Sequence, residues 1–207
     1  DIQQLINIQQ QFKFIPKLEF YTDGSLINAN TSISHMTFGF YERINDILFT
    51  SSCSWWPSSF YTELFGIISA LIVCPNNCDV TIFTDNQSVI QNFHSLRKDN
   101  FELSTRKIFK LNNMNCLWIT LIEIINNLNL KVNLIKVKSH SNVDGNNFID
   151  AAVKNAHTNN EKFLSLNNNS YDLISYIPKW KNIPINQNLR NFIKKISKAK
   201  GIENFLT

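Results

Sequence analysis

No apolar run in this chain of 207 residues reaches the roughly 20 residues that a bilayer-spanning helix needs. The first twenty residues lack the basic-then-apolar order of a signal peptide. Both absences point away from a membrane partner. Cysteine is scarce, with Cys53, Cys74, Cys78 and Cys116 making up the whole set. Cys74 and Cys78 flank Pro75-Asn76-Asn77, a spacing that hints at zinc, but no His-x-His and no second Cys pair completes a set of four ligands. Buried, reduced thiols are the expectation, and with them an intracellular setting, cytoplasm or nucleus. An internal repeat is missing too. So is an initiator methionine: the chain starts at Asp1, which reads as a piece of something longer.

What is present suits one domain with an appendage. Hydrophobic residues make up 43% of the chain and include sixteen Phe, enough for a substantial core. The net charge of +4 is unevenly placed. Residues 158–207 hold eight Lys or Arg against three acids, so the +5 of that tail leaves residues 1–157 at −1. A near-neutral domain followed by a basic extension fits a polyanionic partner, and it also fits a solvated Lys-rich helix.

Taken in order, residues 1–16 are Gln-rich, end at Pro16, and read as a linker or a frayed helix. Leu18, Phe20 and Thr22 alternate with Glu19, Tyr21 and Asp23, the period of a strand with two unlike faces. Asp23-Gly24-Ser25 is expected to stop that strand, because glycine tolerates backbone angles that a strand residue does not. Met36–Tyr41 and Ile47–Ser54 read as two further strands, which short links would join into an antiparallel meander. Trp55-Trp56-Pro57 breaks the pattern. Tyr61, Leu64, Phe65, Ile68, Leu71 and Ile72 then recur at helical spacing. Asp79–Thr84 reads as a strand, and a helix is expected from near Asn86 to Leu96. A strand, a helix and a strand at this spacing imply a parallel pair with a right-handed crossover. A long amphipathic helix over 112–129, a strand over 131–137, a polar loop over 139–147 and a last helix from Phe148 complete an α/β domain with a mixed sheet. Residues 97–110 carry Arg97, Lys98, Arg106, Lys107 and Lys110. In the tail, Leu189, Phe192, Ile193 and Ile196 suggest one face of a basic helix over 190–197.

Four carboxylates stand out from this frame. Asp23 and Asp85 close strands that should be parallel neighbours, and ligands of open α/β sheets gather at such ends. Glu63 is expected in the first turn of its helix, and Asp150 at the opening of the last one. Each has an ordinary explanation. A carboxylate near a helix N-terminus contributes roughly 0.3–1 kcal/mol, Asp85 could cap the helix after it, and Asp23-Gly24 could be a turn. As a set they differ, because four clustered carboxylates repel one another unless cations neutralise them. Hard oxygen donors without His or Cys suit Mg²⁺. Two such ions about 4 Å apart activate a water and stabilise the leaving oxygen of a phosphodiester.

Tyr21-Thr22-Asp23-Gly24-Ser25, Thr62-Glu63-Leu64, Thr84-Asp85-Asn86-Gln87, and Val137-Lys138-Ser139-His140 with Asn147-Phe148-Ile149-Asp150 resemble, in order and spacing, the four motifs of ribonuclease H. The resemblance covers residues 17–157, between a flanking segment 1–16 and a basic extension 158–207 that is partly helical. It implies a ribonuclease H-like fold: a five-stranded mixed sheet, antiparallel for three strands and then parallel, flanked by helices. It implies a two-ion site at Asp23, Glu63, Asp85 and Asp150, with Mg²⁺ as the cofactor and Mn²⁺ as a substitute, and with Asp23 bridging. His140 would assist proton transfer or product release. The implied partner is an RNA–DNA hybrid, contacted at Gly24, Ser25, Asn28, Ser59 and Gln87 as well as by Glu63, consistent with the 2′-hydroxyl marking RNA. Ser139 replaces a glycine before the loop histidine, and Ser59-Phe60 replaces an Asn pair. The setting resembles the ribonuclease H region of a retroelement polyprotein, a monomer fused to or associated with a reverse transcriptase. Two alternatives stay open: a hybrid-binding scaffold with weak catalysis, and an integrase- or resolvase-type nuclease of the same superfold.

Overall fold

A computed structural model describes residues 2–29, 31, 33–53, 57–98, 101, 115–138, 144–158, 179–180, 183–185 and 189–206. Five strands form the main sheet: β1 (Lys17–Ile27), β2 (His35–Glu42), β3 (Ile47–Cys53), β4 (Asp79–Thr84) and β5 (Lys131–Lys136). Their order across it is β3-β2-β1-β4-β5. The first three pair antiparallel, while β4 runs parallel to both β1 and β5. This is the ribonuclease H-like arrangement that the motifs imply.

The two faces of β1 carry different layers. Leu18, Phe20 and Thr22 turn into the main core beneath helix α2 (Ser59–Ile72), whose face carries Leu64, Phe65, Ile68 and Leu71. Tyr21 turns to the opposite face, where it packs with Ile149 and Val153 of helix α5 (Asp144–Asn155). Helix α3 (Gln87–Arg97) and helix α4 (Asn115–Asn127) complete the core layer, α4 lying against α2. All four cysteines are buried free thiols, and burial pushes Cys53 up to about 12. Among the described residues, no helix is long and apolar enough to cross a membrane.

Several expectations need correcting. Of the two readings of residues 1–16, the helix holds and the linker does not, and the helix is docked and not frayed: Ile2–Phe12 form α1, and Leu5, Ile8 and Phe12 on its inner face are buried in the core, with the Phe12 and Phe20 rings 6.0 Å apart. Gly24 does not end β1, which continues to Ile27 with Asp23 opposite Gly39 and Ser25 opposite Thr37. No glycine of the described chain has a positive φ, and the left-handed residue that turns the strand is Asn28, at φ 51°. Helix α5 begins at Asp144, inside the stretch expected as loop, because an acid suits a helix N-terminus and Gly145 lets that turn sit on the Tyr21 ring. In the tail, Lys179–Trp180 (β6) pairs with Ile183–Pro184 (β7), and helix α6 spans Leu189–Leu206, longer than expected. Of its expected apolar face only Phe192 is buried, 6.0 Å from the Trp180 ring, while Leu189 and Ile193 are exposed. The basic stretch over 99–110, except Phe101, lies outside the described residues, as do Trp55 and Trp56.

Gly24 is therefore required by proximity. A Cβ there would lie 2.4 Å from the backbone carbon, Cβ and Oγ1 of Thr62 in α2. Gly24→Ala must push α2 off β1 and should lower stability by roughly 1–3 kcal/mol in denaturant unfolding. Gly201→Ala in α6, where nothing lies within 4 Å, should be neutral or stabilising under the same assay.

Candidate metal centre

Three acids reach one point from three elements. Asp23 leaves β1 just beyond Tyr21, the last residue in register with β4, while β2 still holds the strand. Asp85 follows directly on Thr84, the end of β4. Glu63 is the fifth residue of α2, and that helix lies close enough to the sheet that a Cβ on Gly66 would be 3.1 Å from the Asp23 carbonyl oxygen. One carboxylate oxygen from each of Asp23, Glu63 and Asp85 lies within 4.8 Å of the others.

The ordinary explanations for these acids weaken on inspection. Neither Glu63 nor Asp150 occupies the first turn of its helix, where the dipole would favour it. The cap of α3 is Asn86, whose Oδ1 accepts from the Val89 N–H at 3.1 Å, so Asp85 is released from that task. The Asn86 N–H donates to Thr84 Oγ1 at 3.2 Å, and Lys136 Nζ donates to the Asp85 carbonyl oxygen. The backbone of Asp85 is thus held from both sides.

Crowding has an electrostatic cost. Burial raises the Asp23 carboxyl from 3.8 to about 7, the charges of Asp85 and Asp150 add to the rise, and the Gly24 N–H at 2.7 Å and Lys154 oppose it. Glu63 is only 6% exposed and is pushed well above the usual carboxylate range by burial, then by Asp23 and Asp85. Its Oε2 is buried without a hydrogen-bond partner. An unsatisfied oxygen beside two further carboxylates is what a cation would complete, and an all-oxygen donor set suits Mg²⁺ or Mn²⁺.

Asp150 stands apart from the group of three. Its charge acts on Asp23, but its Oδ1 and Oδ2 lie 2.7 and 2.8 Å from Lys154 Nζ, one helical turn on. Lys154 was not anticipated, although an acid followed by Lys at i+4 is a readable helix pairing. His140 lies outside the described residues. Gly24 and Ser25 are half-buried in β1, Asn28 is exposed beyond its end, and Ser59 and Gln87 are the exposed first residues of α2 and α3. His157, in the short 3₁₀ turn after α5, was also missed, and it contacts Ser25.

Residues 16–158 match the family model described as RNase H. Among solved structures, one of a foamy viral protease-reverse transcriptase in complex with dsDNA aligns at 18% identity with a TM-score of 0.49, covering 66% of this chain and 91% of that one. No curated protein matches the chain.

The metal-free site should behave as a fault in the fold. Because the folded chain binds the Asp23 proton more tightly, the stability this adds is complete below 3.8 and is lost as pH climbs to about 7. Asp23→Asn in EDTA at pH 8 should raise the unfolding free energy by roughly 1–3 kcal/mol, less than the full shift converts to because the group is partly solvated. The gain should shrink toward pH 4. Mg²⁺ should stabilise the wild type and leave the variant unmoved in the same thermal scans.

Proposed function

The chain belongs to the ribonuclease H family, and from that premise we propose that it is a Mg²⁺-dependent endoribonuclease that cuts the RNA strand of RNA–DNA hybrids by a two-metal mechanism. The observation that carries this reading is the approach of one carboxylate oxygen from each of Asp23, Glu63 and Asp85 to within 4.8 Å of the others, together with the buried, unsatisfied Glu63 Oε2. Ions held by these three and Asp150 would acidify a water and neutralise the leaving oxygen. Hydrolysis forms a bond from water oxygen to phosphorus and breaks the bond from phosphorus to O3′, leaving a 5′-phosphate and a 3′-hydroxyl once the 3′-oxygen takes up a proton. His140 is assigned to that proton movement or to product release.

The chain's own residues set up the reaction in three ways. Burial of Glu63 and partial burial of Asp23 strengthen every electrostatic contact made there. The clamp on the Asp85 backbone fixes one ligand, and the contact of α2 with β1 fixes the other two. Asp150 must exchange Lys154 for a metal ion, and an i,i+4 pair of this kind is worth only about 0.3–0.5 kcal/mol. Gly24, Ser25, Asn28, Ser59 and Gln87 are assigned to the hybrid. The tail is assigned to phosphate: Arg190, Lys194, Lys198 and Lys200 lie on α6. The parent context is inferred to be a retroelement polyprotein with a reverse transcriptase.

With Mg²⁺ and a labelled hybrid, the chain should cut the RNA strand alone. Asp23→Asn should lower the rate on the order of 10³-fold or more while binding in Ca²⁺ persists. Binding without cutting would establish the scaffold reading instead, and cleavage of duplex DNA the integrase-type one. Replacing Lys194 and Lys198 with Gln should flatten the salt dependence of hybrid binding by roughly 0.7–0.9 in log–log slope per lost phosphate contact.

A further inference from the structure

On the sheet face that carries Tyr21 and Asp23, a chain of polar groups links four elements. His157 Nε2 lies 2.9 Å from Ser25 Oγ of β1 and 3.2 Å from Thr37 Oγ1 of β2. Its Nδ1 lies 2.9 Å from the Nδ1 of His35, at the start of β2. Thr37 Oγ1 donates its one hydrogen to the Val153 carbonyl oxygen of α5 at 2.7 Å.

These contacts fix the protons. Since the Thr37 hydroxyl hydrogen is committed to Val153, its oxygen can only accept from His157, so the hydrogen of neutral His157 must sit on Nε2. His157 Nδ1 is then an acceptor, and His35 supplies the Nδ1–H that points at it. Ser25 Oγ also accepts from the shared Nε2–H. Its own hydrogen is therefore left to donate elsewhere. Ser25 sits two residues after Asp23, so both side chains emerge from the same face of β1, roughly 7 Å apart along the strand.

We propose that His157, backed by His35, is a positioning residue that orients the Ser25 hydroxyl as a hydrogen-bond donor to a ribose 2′-hydroxyl oxygen of the RNA strand. This rests on the hybrid-cutting reading and adds to it a device for recognising RNA. The device also has a defined acid limit. His35 is the titratable group that faces His157 among the described residues, the other facing groups being Ser25, Thr37 and the Val153 carbonyl. A proton added to His157 Nδ1 would aim two N–H groups at each other and open the clasp. Burial and then the charge of His35 hold His157 below its usual range, so that protonation falls on the acid side of ordinary histidine titration.

The test uses the full chain, hybrid affinity in Ca²⁺ and cleavage in Mg²⁺. His157→Ala should raise Kd and KM roughly tenfold, the scale of one hydrogen bond, with kcat at saturation changed far less. His157→Gln, whose amide N–H can reach the same acceptors, should recover most of the loss and remove the acid-side rise in KM seen in the wild type. Ser25→Ala should match His157→Ala, the double variant should be no worse than either, and the losses should vanish on a hybrid carrying a single 2′-deoxy nucleotide at the contacted position. Additive losses, losses that persist on the 2′-deoxy substrate (a phosphate contact), or a ¹⁵N spectrum placing the His157 proton on Nδ1 would each overturn the proposal. A chain that binds but never cuts overturns the nuclease reading alone, since affinities and the spectrum still decide the clasp. A chain that does not bind hybrid overturns both.

Discussion

The site depends on how closely α2 lies against β1. Where Gly24 faces Thr62 there is no room for even one methyl group, and that missing atom sets the depth at which Glu63 meets Asp23. A helix seated an ångström farther out would leave Glu63 with water instead of two carboxylates. The approach is enforced from below by Leu64, Phe65, Ile68 and Leu71, all buried against the sheet. Apolar burial at about 25 cal/mol per Å² drives the layers together. The price is electrostatic, because the same seating brings three like charges into one partly dry space.

That tension explains why the acids are distributed as they are. Asp23 sits on the central strand, held by β2 alone at that level, and Asp85 on a backbone clamped by Thr84 and Lys136. In both cases the backbone that carries the carboxylate is fixed. Asp150 differs, since Lys154 neutralises it at the rim and both side chains reach solvent. The acidic cluster thus has a back whose backbone is fixed by the sheet and a rim where Asp150 is held only by an exchangeable ion pair.

Much of this was legible in the residues. The alternation over Leu18–Asp23 gave the strand and its two faces, and the helical spacing from Tyr61 gave α2, because period is a local property. The order and spacing of the four acidic motifs gave the sheet topology by resemblance. What escaped was set by tertiary contact. Gly24 looks like a strand breaker until Thr62 is placed against it. The Gln-rich start reads as linker or frayed helix, and its docking escapes notice because only Leu5, Ile8 and Phe12 need be apolar for a helix to be held on one side. The start of α5 was hidden because Asp144-Gly145 has the composition of a turn, and its glycine serves the Tyr21 ring instead. His157 gives no signal by itself, since its partners lie more than a hundred residues earlier.

The strand order also bears on how the molecule assembles. β1 lies in the middle of the sheet, yet its two neighbours reach it over very different chain distances: β2 after one short connection, β4 only after β3 and all of α2. The meander can close early at small loop entropy, whereas the parallel edge must wait for a crossover. Until β4 docks, the nascent sheet exposes one side of its central strand, and Asp23 has no acidic neighbour from that side to repel. Docking of β4 is the contact that adds Asp85 to the acids of β1 and α2, so its share of the repulsion falls on the parallel edge of the sheet.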